Sequence, residues 1–317
     1  MKNLFQNTVM GDSKICDKDS KLKTKTNKSF KMNTADGKTM NGDEIKRGIS
    51  VDFSVLKDTS VTTLPVVGSP SENACGTNLQ WQEKITIITP LLSRQMILPE
   101  LSNCLAVQAF LKMCNLGFEI ERRSNAAAMS PTNTVPFIKI DKYVIGGLEG
   151  IVQFVNTKNI TLTDKLDNNQ KVNLKAFFTL AMNKFNLVEL YMCWRHQETY
   201  KNVTSQKNGS VYPWPLNWIQ NITKRHQVSK QLKNLDWKEK TLNEVIFEFE
   251  VFCEALSQRL NGKSQFFDEG DTELDACVFG HLFSILHTPL PGNYLSDTIK
   301  THPDLMKLVN RIKKLYF

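Results

Sequence analysis

The sequence predicts a mixed α/β layer followed by an all-helical domain, behind a polar amino-terminal extension. Three observations lead there: a composition shift near residue 80, a βαβ-then-ββα order of patterns between residues 95 and 155, and helical periodicity throughout after about residue 166. At 317 residues and 41% apolar composition the chain can bury a sizeable core in two domains.

Residues 1–80 hold eleven Lys and one Arg against nine Asp and Glu, with many Ser, Thr and Asn and no sustained period. Such a segment cannot bury enough apolar surface to offset its conformational entropy, so a disordered extension is expected there. Its single Arg47 and scattered Asp do not fit a mitochondrial transit peptide.

Residues 81–156 carry the layer. Gln95 to Leu98 is the first strand candidate; Leu101, Leu105, Ala109 and Met113 place one apolar stripe on a helix reaching Leu116; Phe118 to Arg122 is a second strand. After a polar loop, Val135 to Ile140 is a strand opening at Pro136, Tyr143 to Ile145 its hairpin partner, and Leu148 to Val155 a helix. This order is that of a thioredoxin-like domain, in which a proline at the head of the third strand is usually cis, and Pro136 holds that place.

Residues 166–317 read as helices. From Thr241 to Leu260 the apolar positions Leu242, Val245, Ile246, Phe249, Phe252, Cys253, Leu256 and Leu260 share one side, and Asn261-Gly262 ends the run. Thr272-Glu273-Leu274-Asp275 then precedes an almost wholly apolar stretch. The Thr272 hydroxyl can accept a free backbone N–H while the Asp275 carboxylate reaches back, so a capped, buried, central helix is expected. Pro303 to Phe317 predicts a terminal helix with Leu305, Leu308, Val309, Ile312, Leu315 and Tyr316 inward and Lys307, Arg311, Lys313 and Lys314 on a solvated basic side.

Several function classes find no support. No apolar run reaches the roughly 18 residues of a membrane-spanning helix. Seven cysteines without a C-x-x-C pair suggest neither a disulfide framework nor a zinc knuckle, and the five histidines share no ligand spacing, so no metal is expected. The net charge of +8 comes without a nucleic-acid-binding signature. Tyr212-Pro213-Trp214-Pro215-Leu216-Asn217-Trp218 has two readings: Trp214 and Trp218 pack into the core, or they anchor a partner.

A thioredoxin-like layer followed by a bundle whose central helix opens with a T-x-x-D cap resembles the glutathione transferases, so the expected fold class is glutathione-transferase-like. The resemblance narrows through Leu105 to Leu111, Met113 to Leu116, Met129-Ser130-Pro131, Val135 to Ile138, Ile151 to Val155, Tyr212 to Asn217, Ala255 to Leu260, Thr272 to Ala276, Val278 to Leu282 and Tyr316-Phe317, which are similar, in collinear order over about residues 95–317, to the metaxin family. Gly147, Glu149 and Gly150 depart from the Glu, Gly and Pro usual there. The resemblance implies a non-catalytic, peripheral subunit on the cytosolic face of the mitochondrial outer membrane. It would be held by a metaxin-1-like membrane-anchored subunit and work with the β-barrel sorting and assembly machinery in protein import.

The alternative is a soluble glutathione-dependent transferase. That chemistry needs a hydroxyl or thiol near the first helix to stabilise a thiolate and an acidic-Ser pair at the third helix. The first region offers Ser93, Ser102 and Cys104; at the second, Gly147 and Leu148 stand where Glu or Gln and Ser would. Leu148 can neither donate nor accept, so no catalytic residue and no cofactor are expected.

Overall fold

A computed structural model describes residues 85–92, 94–140 and 143–317. The extension of residues 1–80, the start of the layer at residues 81–84, and Ser93 lie outside the described residues.

The sheet is built around β1 (Ile85–Thr89), with β2 (Phe118–Arg122), β3 (Phe137–Ile140) and β4 (Tyr143–Gly146) in the spatial order β2-β1-β3-β4. β1 runs parallel to β2, with Ile87 beside Ile120, and antiparallel to β3, with Ile87 beside Ile138. The first strand is therefore Ile85–Thr89 and not Gln95–Leu98. A central strand is covered on both faces, so Ile85, Ile87 and Ile88 are all buried and the run shows no clean alternation. Met96-Ile97-Leu98 instead leads into helix α1 (Leu98–Met113), where Pro99 suits the first turn and Glu100 Oε2 accepts from the Ile97 N–H at 3.2 Å.

A single helical turn, α2 (Ala126–Met129), replaces the expected polar loop. The Val135–Pro136 peptide is cis, as anticipated, and opens β3. The Pro136 carbonyl accepts from the Gly147 N–H at 3.2 Å, and Gly147 has φ +73°, a left-handed conformation that glycine adopts without strain. Helix α3 (Leu148–Thr157) follows, burying Leu148, Ile151, Val152 and Val155.

Helix α4 (Asn168–Leu190) starts at a reciprocal cap between Asp167 and Gln170. It runs on through a π-helical stretch Tyr191–Arg195, α5 (Gln197–Thr199), a second π-helical stretch Tyr200–Thr204 and α6 (Ser205–Gly209). Then come α7 (Leu216–Asn234), α8 (Leu242–Leu260), α9 (Glu273–His287), α10 (Tyr294–Lys300) and α11 (Pro303–Tyr316). Thr241 and Glu244 cap α8, and Asn261 and Gly262, both at positive φ, end it where the sequence anticipates.

Helix α9 is the centre of the core: Leu274 to Ile285 is buried on every side. It lies directly against α1, and Gly280 permits the approach, because a Cβ there would sit 2.7 Å from the Ala106 Cα. The sheet layer and the helices thus share one continuous hydrophobic core. Among the described residues no helix is long and apolar enough to cross a membrane.

Candidate functional site

The place where a transferase would handle a thiol peptide is the junction of α1, the Pro136 turn and the start of α3. Leu148, at the first position of α3, is fully buried and joins the core. Ser102 is also fully buried. Its hydroxyl donates to Glu189 Oε1 at 2.7 Å, and its oxygen lies 2.9 Å from the Leu98 carbonyl as well. Cys104 is buried, and burial, reinforced by the negative charge of Glu100, pushes its thiol far up from the ordinary range. A thiol held protonated is neither nucleophile nor metal ligand.

Ser102 belongs to a polar cluster inside the core. Glu189 of α4, wholly shielded from solvent, pairs with His281 Nδ1 of α9 at 2.8 Å, and the His281 ring stacks on Phe185 at 4.6 Å. Burial alone would lower the His281 pKa. The Glu189 carboxylate and a hydrogen bond with Cys277 overcome it and hold the pKa up at about 10, so the imidazole is a cation. Glu189 Oε2 and His281 Nε2 have no further partner. The Ser-Glu-His set is closed to solvent; it is a structural ion pair and presents no nucleophile to a substrate.

A second cluster ties α11 to the cap of α9. Asp275 Oδ2 accepts from the Thr272 N–H at 3.0 Å and from the Thr272 hydroxyl at 2.8 Å, while Oδ1 accepts from the Phe266 N–H at 3.2 Å. The reciprocal cap is formed, but the hydroxyl is engaged chiefly as a donor to the carboxylate. Burial raises the Asp275 pKa to about 6, against the hydrogen bonds from Thr272. Next to it Arg311 donates through both terminal nitrogens to Asp271, at 3.1 and 2.5 Å, and the Tyr316 hydroxyl donates to the same carboxylate at 2.7 Å. Arg311, expected on the solvated side of α11, is therefore an internal clamp, whereas Leu315, expected inward, is exposed. Leu305, Leu308, Val309 and Ile312 are buried as expected.

The residues that stand out to solvent are the tryptophans. Trp214 is 83% exposed and Trp218 62%, with Leu216, Ile219 and Ile222 exposed beside them on the first turns of α7. Core packing of Trp214 and Trp218 is thus overturned. Helix α7 buries only Val228 and Leu232, near its far end; its amino-terminal half rests on α6 through Asn221, which bonds Asn208 and the Ser205 carbonyl, and leaves the tryptophan side open to solvent. These five exposed apolar side chains within nine residues of chain are the candidate docking site.

A relative from mouse, metaxin-2, is 42% identical over 237 residues, 75% of this chain and 90% of its own length. The chain belongs to the metaxin family. The human metaxin-2 matches this metaxin at 41% over the same shares, and a metaxin-2 homolog from Caenorhabditis elegans at 35% over 73% of the chain and 99% of its own. Residues 104–225 match a family described as outer mitochondrial membrane transport complex protein, a stretch that takes in α4 to α6 and the exposed turns of α7. Residues 250–312 match the glutathione S-transferase C-terminal domain. Among solved structures, the β-etherase LigF from Sphingobium sp. strain SYK-6 superposes with a TM-score of 0.50 at 15% identity, over 72% of this metaxin and 94% of that chain. A glutathione S-transferase from Ceriporiopsis subvermispora in complex with glutathione also gives 0.50, at 11% identity, over 73% and 96%. The metaxin fold is glutathione-transferase-like. Sequence reasoning missed the Glu189–His281 pair, whose members are 92 residues apart on helices that read as core; the one available signal was an acid and a histidine placed on otherwise apolar faces.

Proposed function

We propose that this metaxin is a non-catalytic subunit of the outer mitochondrial membrane machinery that imports proteins and sorts and assembles β-barrels. It sits peripherally on the cytosolic face, held by a metaxin-1-like membrane-anchored subunit. The observation that carries the reading is the closed junction at α1 and α3. Leu148, which the sequence resemblance puts in place of the transferase serine, is buried, the Ser102 hydroxyl is committed to Glu189, and Cys104 is held as a thiol inside the core. Among the described residues, neither Ser102 nor Cys104 is available to stabilise a thiolate, and Leu148 can form no hydrogen bond to a γ-glutamyl end. The match of residues 104–225 to an outer-membrane transport complex family supports the setting, as does a 28% identity to mouse metaxin-1 over 67% of the chain. The absence, among the described residues, of a helix able to span a bilayer supports attachment through a partner.

The test pairs a glutathione-affinity column and a conjugation assay on a standard electrophile with carbonate extraction of mitochondria depleted of the metaxin-1-type subunit. No retention, no turnover, and loss of the protein from the depleted membranes are expected. Micromolar glutathione binding with turnover would overturn the non-catalytic reading, and carbonate-resistant membrane association without the partner would overturn the attachment.

A further inference from the structure

Between Glu198 and Asp236 the chain has no acidic residue, yet it holds Lys201, Lys207, Lys224, Arg225, Lys230 and Lys233. This acid-free stretch includes the whole of α7 and its exposed apolar turns. On the helix, Trp218, Ile222, Arg225 and Ser229 follow one another at spacings of four, three and four, and so form a single face. Its first half is exposed and apolar; its second half enters a cleft of about 160 Å³ lined by Arg225, Ser229, Val228 and Leu232 of α7 and by Trp194, Arg195 and Lys238 opposite.

Every polar side chain on the cleft wall is a donor of hydrogen bonds, and no carboxylate lines it. Arg195 spends its Nε on the Lys238 carbonyl at 3.1 Å, and Arg225 spends one Nη2 bond on Gln197 at 2.9 Å. Each guanidinium keeps several N–H groups. Lys238 has only a loose 3.7 Å pairing with the exposed Glu239. Trp194 is 2% exposed, and its indole N–H has no partner. A buried unpaired donor is costly, and this one belongs to a residue that lines the cationic cleft, where an acceptor from outside would offset the cost. The volume equals roughly five water molecules at about 30 Å³ each, room for a phosphate with a short polar substituent.

We propose that this cleft and the Trp218–Ile222 face form a docking site for anionic phospholipid in a membrane surface. The headgroup phosphate enters among Arg195, Arg225, Lys238 and the Trp194 N–H, and the exposed tryptophans and isoleucines lie at the level of the glycerol and upper acyl chains. Amphipathic rings beside cations are what the bilayer interface accommodates, and the acid-free stretch between Glu198 and Asp236, with Glu239 the one acid paired to a cleft cation among the described residues, meets anionic lipid with little repulsion. Helix α7 thereby supplies a second attachment beside the protein partner, and weak attachments at one surface multiply. The inference rests on the peripheral outer-membrane reading for its setting, but not on the closed glutathione junction.

The purified full chain is floated with vesicles of phosphatidylcholine and phosphatidylserine in a two-to-one ratio, and with vesicles of phosphatidylcholine alone, at low and high salt, while tryptophan emission is followed. Binding to the anionic vesicles at least tenfold tighter, weakened by salt and accompanied by a blue shift, is expected, since each cation at such a surface contributes about fivefold. The double variant Ser229→Asp/Lys238→Gln should remove the anionic preference. Trp218→Ser/Ile222→Ser, which alters only exposed side chains, should weaken binding to both vesicle types and diminish the blue shift, with the melting temperature unchanged. Equal binding to the two vesicle types, or undiminished binding by both variants, would overturn the proposal. So would binding of soluble glycerol phosphate without vesicle binding, which would make the cleft a small-phosphate site. Absence of vesicle binding together with loss of metaxin-1-type subunit capture in the Trp218→Ser/Ile222→Ser variant would make the face a protein interface instead. None of these results bears on the glutathione assay, so failure here and failure of the non-catalytic reading are told apart.

Discussion

Replacing Gly280 by Ala tests the packing of α9 against α1 with a known direction of error. In an open helix the change would stabilise by up to about 1 kcal/mol, because glycine forfeits backbone entropy on folding. Here the new methyl would stand 2.4 Å from the Ala106 N and 2.7 Å from its Cα and Cβ, where 3.4 Å is ordinary contact. The atoms met are backbone and the first side-chain carbon, which cannot rotate away, so the helices must part by about 1 Å. A gap of that size forfeits a quarter to a half of each dispersion contact along the seam, and overpacking of a tight core costs about 2–3 kcal/mol. The net loss is about 1–2 kcal/mol, a fall in melting temperature of about 2–8 °C for a folded part of this size. Gly150→Ala is the control. Its Cβ would meet only the Ile145 Cγ2 at 3.4 Å, and the same substitution there should leave stability equal or higher. Calorimetry on both variants decides the matter, and a Gly280→Ala protein that melts at or above the original temperature would refute the close-approach argument.

Two further outcomes follow from the buried charges. Because the folded-state pKa of His281 is raised, its ion pair with Glu189 stabilises the fold fully below about pH 6.5, and that contribution is lost as pH rises toward about 10; chemical denaturation across this window should show a decline that His281→Gln flattens, and parallel slopes in the two proteins would exclude the pairing. Thr272→Ala removes the hydroxyl bonded to Asp275 at the entry of the central helix and should destabilise the whole fold by about 0.5–2 kcal/mol in a single thermal transition, whereas an unchanged melting temperature would refute the central place of that cap.

What could be read from the sequence was local and periodic. Most of the α8 stripe, the α11 stripe as far as Ile312, the cap at Thr272 and the proline at the head of β3 are written in adjacent residues, and these are present. β1 escaped because a strand covered on both faces has no alternation to detect, while Met96-Ile97-Leu98 imitates a strand until Pro99 and Glu100 are taken as a helix start. Trp214 and Trp218 read as core or as partner anchors, since spacing says which residues share a face and not whether another helix covers it. Arg311 is four residues from Lys307 and looked like its companion; only the arrival of Asp271 from 40 positions away turns it inward. The cleft beside α7 combines residues 194, 225 and 238, and no local pattern announces such a convergence.

The meeting of Ser102, Glu189 and His281 governs how the layer and the bundle can fit together. One member comes from α1, one from α4 and one from α9, and each is sealed from water. Oily surfaces tolerate sliding, for a leucine displaced by one turn still meets other leucines. A charge does not: if α1 or α4 shifted along α9 by a turn, the carboxylate or the imidazolium would be stranded in hydrocarbon, at a cost of several kcal/mol. The cluster therefore works like a key with a single cut. It rejects near-miss arrangements that the apolar seam alone would accept, and it keeps the outer surface of the bundle, α7 included, in a constant position relative to the sheet.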